Sequence, residues 1–236
     1  MHALGSRASR RIDRGDNVLV LCPSFEADEP AACVDLLTFD EPADKNVLCI
    51  SFTESVADRR IIWERYAGSD PERAAVIDVT AEPRPIVSST DANGNGTDTD
   101  AETGTDAEAD TDTVPHTHAD SAGGSFDPTL ERVSSPSDLT TLGVRVTDRL
   151  DDWLPATGDD QTVVCFESIS TLLQYADRQR TYEFLDAITQ RIGTADAIAH
   201  YHMDPAAHDD ETVARLKGLF DAVCECEAGE WRVRAR

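Results

Sequence analysis

The chain has 236 residues, with 21 Lys and Arg against 46 Asp and Glu, for a formal net charge of −25. A phosphate backbone would repel that surface, which argues against nucleic-acid binding through a basic face. No apolar run reaches the roughly 18 residues of a membrane-spanning helix, and none follows the basic start at Arg7, Arg10, Arg11 and Arg14, so neither a transmembrane segment nor a secretory leader is expected.

Residues 1–14 read as a polar N-terminal tail and 15–236 as a single domain. Asn17–Leu21 is a short apolar run, the mark of a strand buried on both faces. Pro30 suits the first position of a helix whose apolar face is Cys33, Leu36 and Leu37. Asn46–Phe52 is a second buried strand. Ser55-Val-Ala-Asp58 is a capping box opening a helix that carries Ile62, Trp63 and Tyr66 and stops at Gly68. Ala74–Val79 is a third strand. Residues 88–127 are mostly Asp, Thr, Gly and Ala, with too little apolar surface to fold, and read as an acidic disordered insertion within the domain. His116 and His118 fall inside it and need no role.

Beyond the insertion, Ser135-Pro-Ser-Asp138 reads as a second capping box, with Pro136 at the first helical position. Leu139, Leu142, Val146, Leu150 and Trp153 follow at helical spacing. Thr162–Phe166 is a fourth buried strand, and Leu185, Ile188 and Ile192 stripe a helix ending at Gly193. Ala197–His202 is a fifth strand, and Val213, Leu216 and Phe220 mark a last helix. Ala222–Glu227 and Trp231–Arg234 face each other across Ala-Gly as an antiparallel hairpin at the sheet edge. This alternation predicts an α/β fold, a mostly parallel sheet sandwiched by helices with a C-terminal antiparallel hairpin. Ligands in such folds sit beyond the carboxyl ends of the strands, here the turns after Leu21, Phe52, Phe166 and His202.

The acidity is spread along the chain, and only Lys45 and Lys217 are lysines. A charge this large destabilises a compact state at ordinary salt, and molar salt shortens the Debye length to about 3 Å and screens the repulsion. The expectation is a salt-adapted cytoplasmic protein of haloarchaeal type. The cysteines agree with a reducing interior. Cys22, Cys49 and Cys165 sit in apolar runs, Cys33 falls on a helix, and Cys224 and Cys226 share one strand face. No Cys-x-x-Cys pair suggests a zinc ribbon or a redox motif.

Three segments carry a resemblance. Ser51-Phe52-Thr53-Glu54-Ser55 is similar to the Ser-Phe-Glu-Glu-Ser type segment after the second strand of KaiC-like proteins. Val163-Val164-Cys165-Phe166-Glu167-Ser168 is similar to their Walker B strand, with Glu167 in place of Asp. Gly15-Asp-Asn-Val-Leu-Val-Leu-Cys-Pro-Ser24 stands at the first strand, and a hairpin closes the chain after a last helix. In this order the chain resembles the RecA/KaiC-like P-loop ATPase core, through a haloarchaeal family of that type.

The first turn departs from that pattern. A P-loop needs Gly-x-x-x-x-Gly-Lys-Ser/Thr, whose backbone N–H groups wrap the phosphates while the Lys neutralises them. Here stands Cys22-Pro-Ser-Phe-Glu-Ala-Asp-Glu-Pro30, with neither Gly nor Lys, and with Glu26, Asp28 and Glu29 near the phosphate position. A carboxylate about 4 Å from a phosphate oxygen costs about 1 kcal/mol in water and about 4 kcal/mol at a partly buried site. A helix N-terminus offsets at most about 2 kcal/mol.

The resemblance therefore implies a degenerate Walker A site, no cofactor, and a vestigial nucleotide position near Ser24, Glu167 and Ser168. The expected function is a non-catalytic RecA/KaiC-like regulatory or signalling module whose carboxyl-edge loops bind another protein. Without nucleotide to join subunits, a monomer or weak dimer is expected. The alternative is an ATP-dependent enzyme or signalling ATPase with an atypical site, in which Glu54 and Glu167 are catalytic. A local reading competes at both positions: Glu167 and Ser168 cap the next helix, and Glu54 lies in the loop leading into another.

His200 and His202 alternate on one strand face, with Asp204 and His208 close by, and neutral imidazoles so spaced can ligate Zn²⁺; with the cysteines they give a third reading, a metal-dependent or redox protein. The competing reading has them satisfying backbone groups at a solvated strand end. Ser24 has no His near it in sequence and no nucleophile elbow, so hydrolase chemistry has little support. Arg232, Arg234 and Arg236 read as a solvated positive end, or as a dock for an acidic partner or membrane surface.

Overall fold

Strand β1 (Asn17–Leu21) is buried at every position, as are β2 (Lys45–Ser51) and β6 (Ile198–Met203), because helices cover both faces of the sheet. The computed structural model describes residues 12–23, 29–38, 44–79, 126–153, 161–227 and 230–235. All of these fall within one unit formed by Met1–Glu82 and Gly124–Arg236. The other strands are β3 (Arg73–Val79), β4 (Thr129–Val133), β5 (Gln161–Glu167), β7 (Ala222–Glu227) and β8 (Glu230–Ala235). The helices are α1 (Glu29–Thr38), α2 (Val56–Tyr66), α3 (Leu139–Trp153), α4 (Ile169–Tyr175), α5 (Arg178–Thr194) and α6 (Asp210–Lys217).

The eight strands run in the order β4-β3-β2-β5-β6-β1-β7-β8. All pairings are parallel except β7 with β8, which closes the sheet as an antiparallel hairpin. The alternation of strand side chains builds two cores. Leu19, Leu21, Leu48, Ile50, Val164 and Phe166 face α3, α4, α5 and α6. Val18, Val20, Val47, Cys49, Val163 and Cys165 face α1 and Trp63 of α2. Right-handed crossovers fix this division. Chain leaving β1 and β2 moves toward the β4 edge on one face, and chain leaving β4, β5 and β6 moves the other way on the opposite face. Connections from the adjacent strands β2 and β5 therefore diverge, and folds of this kind place their ligand crevice at such carboxyl ends.

Several expectations change in detail. β4 was missed: it is an edge strand whose Thr129, Leu130 and Arg132 are exposed, so it lacks an apolar run. The second capping box is not formed. The Ser135 backbone carbonyl, not its hydroxyl, accepts from the Asp138 N–H in a turn, and the Asp138 carboxylate caps α3 by accepting from the Thr141 N–H at 3.0 Å. The first box forms as read, with Ser55 and Asp58 bonded reciprocally. Gly68 ends α2 at φ +79°, but α5 runs through Gly193 to Thr194, and Asp196 takes the left-handed turn at φ 55°. Phe126, placed by the sequence at the end of the acidic insertion, is 1% exposed and stacks on Trp63 at 5.0 Å. The rest of residues 88–127, apart from Asp127, lies outside the described residues, as does the N-terminal tail up to residue 11. No helix among the described residues is long and apolar enough to cross a membrane.

Candidate functional site

The crevice begins where β2 runs out. The Ser51 hydroxyl accepts from the Glu54 N–H at 3.0 Å and donates to the Glu54 carbonyl at 2.9 Å, a closed turn that delivers Glu54 to the carboxyl edge. On the neighbouring strand, the Glu167 carbonyl accepts from the Phe52 N–H at 2.9 Å, so β2 and β5 stay in register to their last residues. Glu54 and Glu167 thus arrive side by side.

Both carboxylates meet one cation. Arg59, on the first turns of α2, is 5% exposed; its Nε lies 2.7 Å from Glu54 Oε2 and its Nη2 donates to Glu167 Oε2. The Nε contact is Coulombic, since its angle falls outside hydrogen-bond geometry. Burial pushes the Glu54 carboxyl up to about 7, with Glu167 adding to the rise and Arg59 opposing it. Ser168 caps α4 by accepting from the Thr171 N–H at 3.1 Å, as the local reading had it, whereas Glu167 is no cap but an ion-pair partner. Arg59 was missed because an Arg on a helix ordinarily reads as solvated. The available signal was its spacing: it stands four residues before the buried Trp63, hence on the same helix face.

Arg59 also reaches a second cluster. Its Nη1 donates toward Cys33 Sγ at 3.5 Å. Cys33 on α1, Cys165 on β5, and His200 and His202 on β6 each bring one donor atom within 4.8 Å of the others, and all four are buried. Cys33 Sγ lies 3.5 Å from Cys165 Sγ and 3.3 Å from His200 Nε2. His202 Nδ1 lies 3.0 Å from the Glu29 carboxylate at the start of α1. Its Nε2 is buried without a hydrogen-bond partner among the described residues.

The pair of thiols is electrically uneven. Hydrogen bonding from Cys165 pulls the Cys33 thiol well below its ordinary range, against its own burial, with His200 and Arg59 assisting. Burial pushes Cys165 the other way. Burial also lowers His200. For His202 burial works against the charged ring, yet the nearby Cys33 sulfur and Glu29 together push it up to about 10.

The two histidines thus sit on one face, as the alternation required, and their companions are two of the cysteines, not Asp204 or His208. They are interior, not at a solvated strand end: His200 is 1% and His202 3% exposed. Asp204 caps a short 3₁₀ turn, and His208 meets the Ser170 hydroxyl at 2.9 Å, so neither joins them. Cys33 and Cys165 join instead, which sequence spacing could not show across 132 residues. Ser24 lies outside the described residues, as do Glu26 and Asp28. Of the first turn, the Cys22 N–H is taken by the Met203 carbonyl at 3.1 Å, and Pro23 and Pro30 have no N–H to offer.

No curated protein matches the chain. A solved structure from Pyrococcus horikoshii OT3 superposes with a TM-score of 0.53 at 10% identity, over 98% of this chain and 91% of that one. At such identity the likeness is one of fold alone. A family model described as a family of unknown function, DUF7504, matches residues 15–226, nearly the whole domain built around these two clusters, and the chain belongs to that family.

Proposed function

We propose that this protein is a non-catalytic RecA/KaiC-like module that binds or regulates another protein through the carboxyl edge of its sheet. One observation carries the reading: Arg59 occupies the space between Glu54 and Glu167, the two residues that the resemblance assigns to catalysis and metal binding. The strand order supports it. β1, with the phosphate-turn position, and β5, with the Walker B position, flank β6 with their carboxyl ends together.

Energetics favour the plugged site. Breaking a buried ion pair by withdrawing one partner costs about 3–5 kcal/mol. Glu167 is partly exposed and Arg59 would keep Glu54, so a Mg²⁺ ion claiming Glu167 must overcome part of that cost before it gains anything. It does so without a glycine cradle or P-loop Lys, and a metal at that position bridges nucleotide phosphates only when they are held. The Arg59 guanidinium does not substitute for that Lys, because both of its faces toward the crevice are already neutralised.

The partner is another protein, bound by a monomer or weak dimer that lacks nucleotide-bridged contacts, in a cytoplasm of high salt. Phosphate release from ATP in molar KCl with Mg²⁺ tests the reading. No turnover above buffer is expected. Turnover that disappears in Glu167→Gln establishes the opposing assignment, an ATPase with an atypical site.

A further inference from the structure

We propose that Cys33, Cys165, His200 and His202 are the four ligands of a buried tetrahedral zinc site that ties α1 to β5 and β6. Geometry comes first. Zinc bound at about 2.3 Å from sulfur and about 2.0 Å from nitrogen in a tetrahedron sets its ligands roughly 3.3–3.8 Å apart. The Sγ–Sγ distance is 3.5 Å and the Sγ–Nε2 distance to His200 is 3.3 Å, and every donor lies within 4.8 Å of the rest. Rotamer-scale movement completes the set.

The surroundings are those of ligands and not of apolar filler. His202 engages Glu29 through Nδ1, which fixes the ring and leaves Nε2, the buried nitrogen without a hydrogen-bond partner, for the cluster. A carboxylate behind a ligating imidazole is the usual means of orienting it. Arg59 points a guanidinium N–H at Cys33 Sγ, an arrangement that supports a thiolate. A buried ring nitrogen without a partner is costly unless something engages it.

Charge argues the same way. Zn²⁺ with two thiolates and two neutral imidazoles has no net charge, so the burial penalty of an isolated ion does not arise. The donor set selects the metal: two soft sulfurs and two imidazoles in a tetrahedron suit zinc, and hard oxygen-seeking ions are rejected. Four protein ligands leave no open position, which makes the site structural and not hydrolytic. The ion would pin the first helix to the sheet beside the β1 turn. This inference is independent of whether the crevice binds nucleotide.

Elemental analysis of protein purified without a histidine tag, after incubation with excess zinc and desalting, decides it. About one zinc per chain is expected, and Cys33→Ser and His202→Asn should each lose most of it, while Cys224→Ser, a buried cysteine outside the cluster, should keep it. Glu29→Gln should hold the metal with roughly 10–100-fold lower affinity in chelator competition. Cobalt replacing zinc in the wild-type chain should give the intense visible bands of a tetrahedral ion and thiolate charge transfer, a readout that stands even where a variant fails to fold. A folded wild-type chain with under about a tenth of a zinc, or a cobalt complex without thiolate bands, overturns the proposal. So does a Cys33–Cys165 disulfide in freshly isolated protein.

Discussion

Replacing Arg59 by Met removes the cation from between Glu54 and Glu167 while leaving most of the apolar stem in place. The consequence follows from burial. Arg59 is 5% exposed, while the two carboxylate side chains are 27% and 21% exposed, so water relieves them only in part. Stranding a partner of a buried pair costs about 3–5 kcal/mol, and the residual exposure brings the expected loss toward the lower figure, about 3 kcal/mol at pH 8. The loss should depend on pH. Glu54 titrates near 7, so at pH 5.5 it is largely protonated and presents a neutral acid beside Glu167. One ionic contact is then lost instead of two, and the penalty should shrink to roughly half. Urea unfolding in molar KCl, followed by tryptophan fluorescence, measures both values. A variant within about 0.5 kcal/mol of wild type at pH 8, or an equal loss at both pH values, refutes the idea that Arg59 holds two like charges together.

Glu54→Gln isolates the titration itself. The folded carboxyl at about 7 lies above its ordinary 4.5, so its contribution to stability is complete below the lower value and lost as pH rises through the upper. Wild type should therefore lose stability relative to Glu54→Gln between pH 5 and 8, and urea midpoints showing a constant difference would contradict this. Phe126→Ala removes the ring stacked on Trp63 and should cost about 3–4 kcal/mol, read from the same denaturation curves; a cost near zero would detach Phe126 from the core. Asp138→Ala should cost about 1 kcal/mol through loss of the α3 cap, while Ser135→Ala should be close to neutral. Equal effects would restore Ser135 as the cap.

The scaffold was legible because buried parallel strands leave a strong mark. Asn17–Leu21 and the runs around Cys49 and Cys165 are short and apolar on both faces, and only a sheet covered twice explains several of these in one chain. β4 left no such mark because one side of its ladder faces solvent. Glu54, Glu167, His200 and His202 were each picked out, yet their partners were not. Arg59 required knowing that α2 turns its Trp63 face inward over the carboxyl edge. Cys33 required knowing that α1 lies over β5 and β6, a consequence of β1 feeding β2 across two intervening strands. Tertiary juxtapositions of this kind have no local periodicity to betray them.

The claim on which the functional reading rests is that the crevice at β2 and β5 is closed to nucleotide by its own ion pairs. Calorimetric titration of Mg-ATP into the wild-type chain in molar KCl measures this directly. No saturable heat is expected at millimolar ATP, that is, binding weaker than about −4 kcal/mol. A micromolar dissociation constant would contradict it, because no such affinity is compatible with Arg59 remaining seated on Glu54 and Glu167.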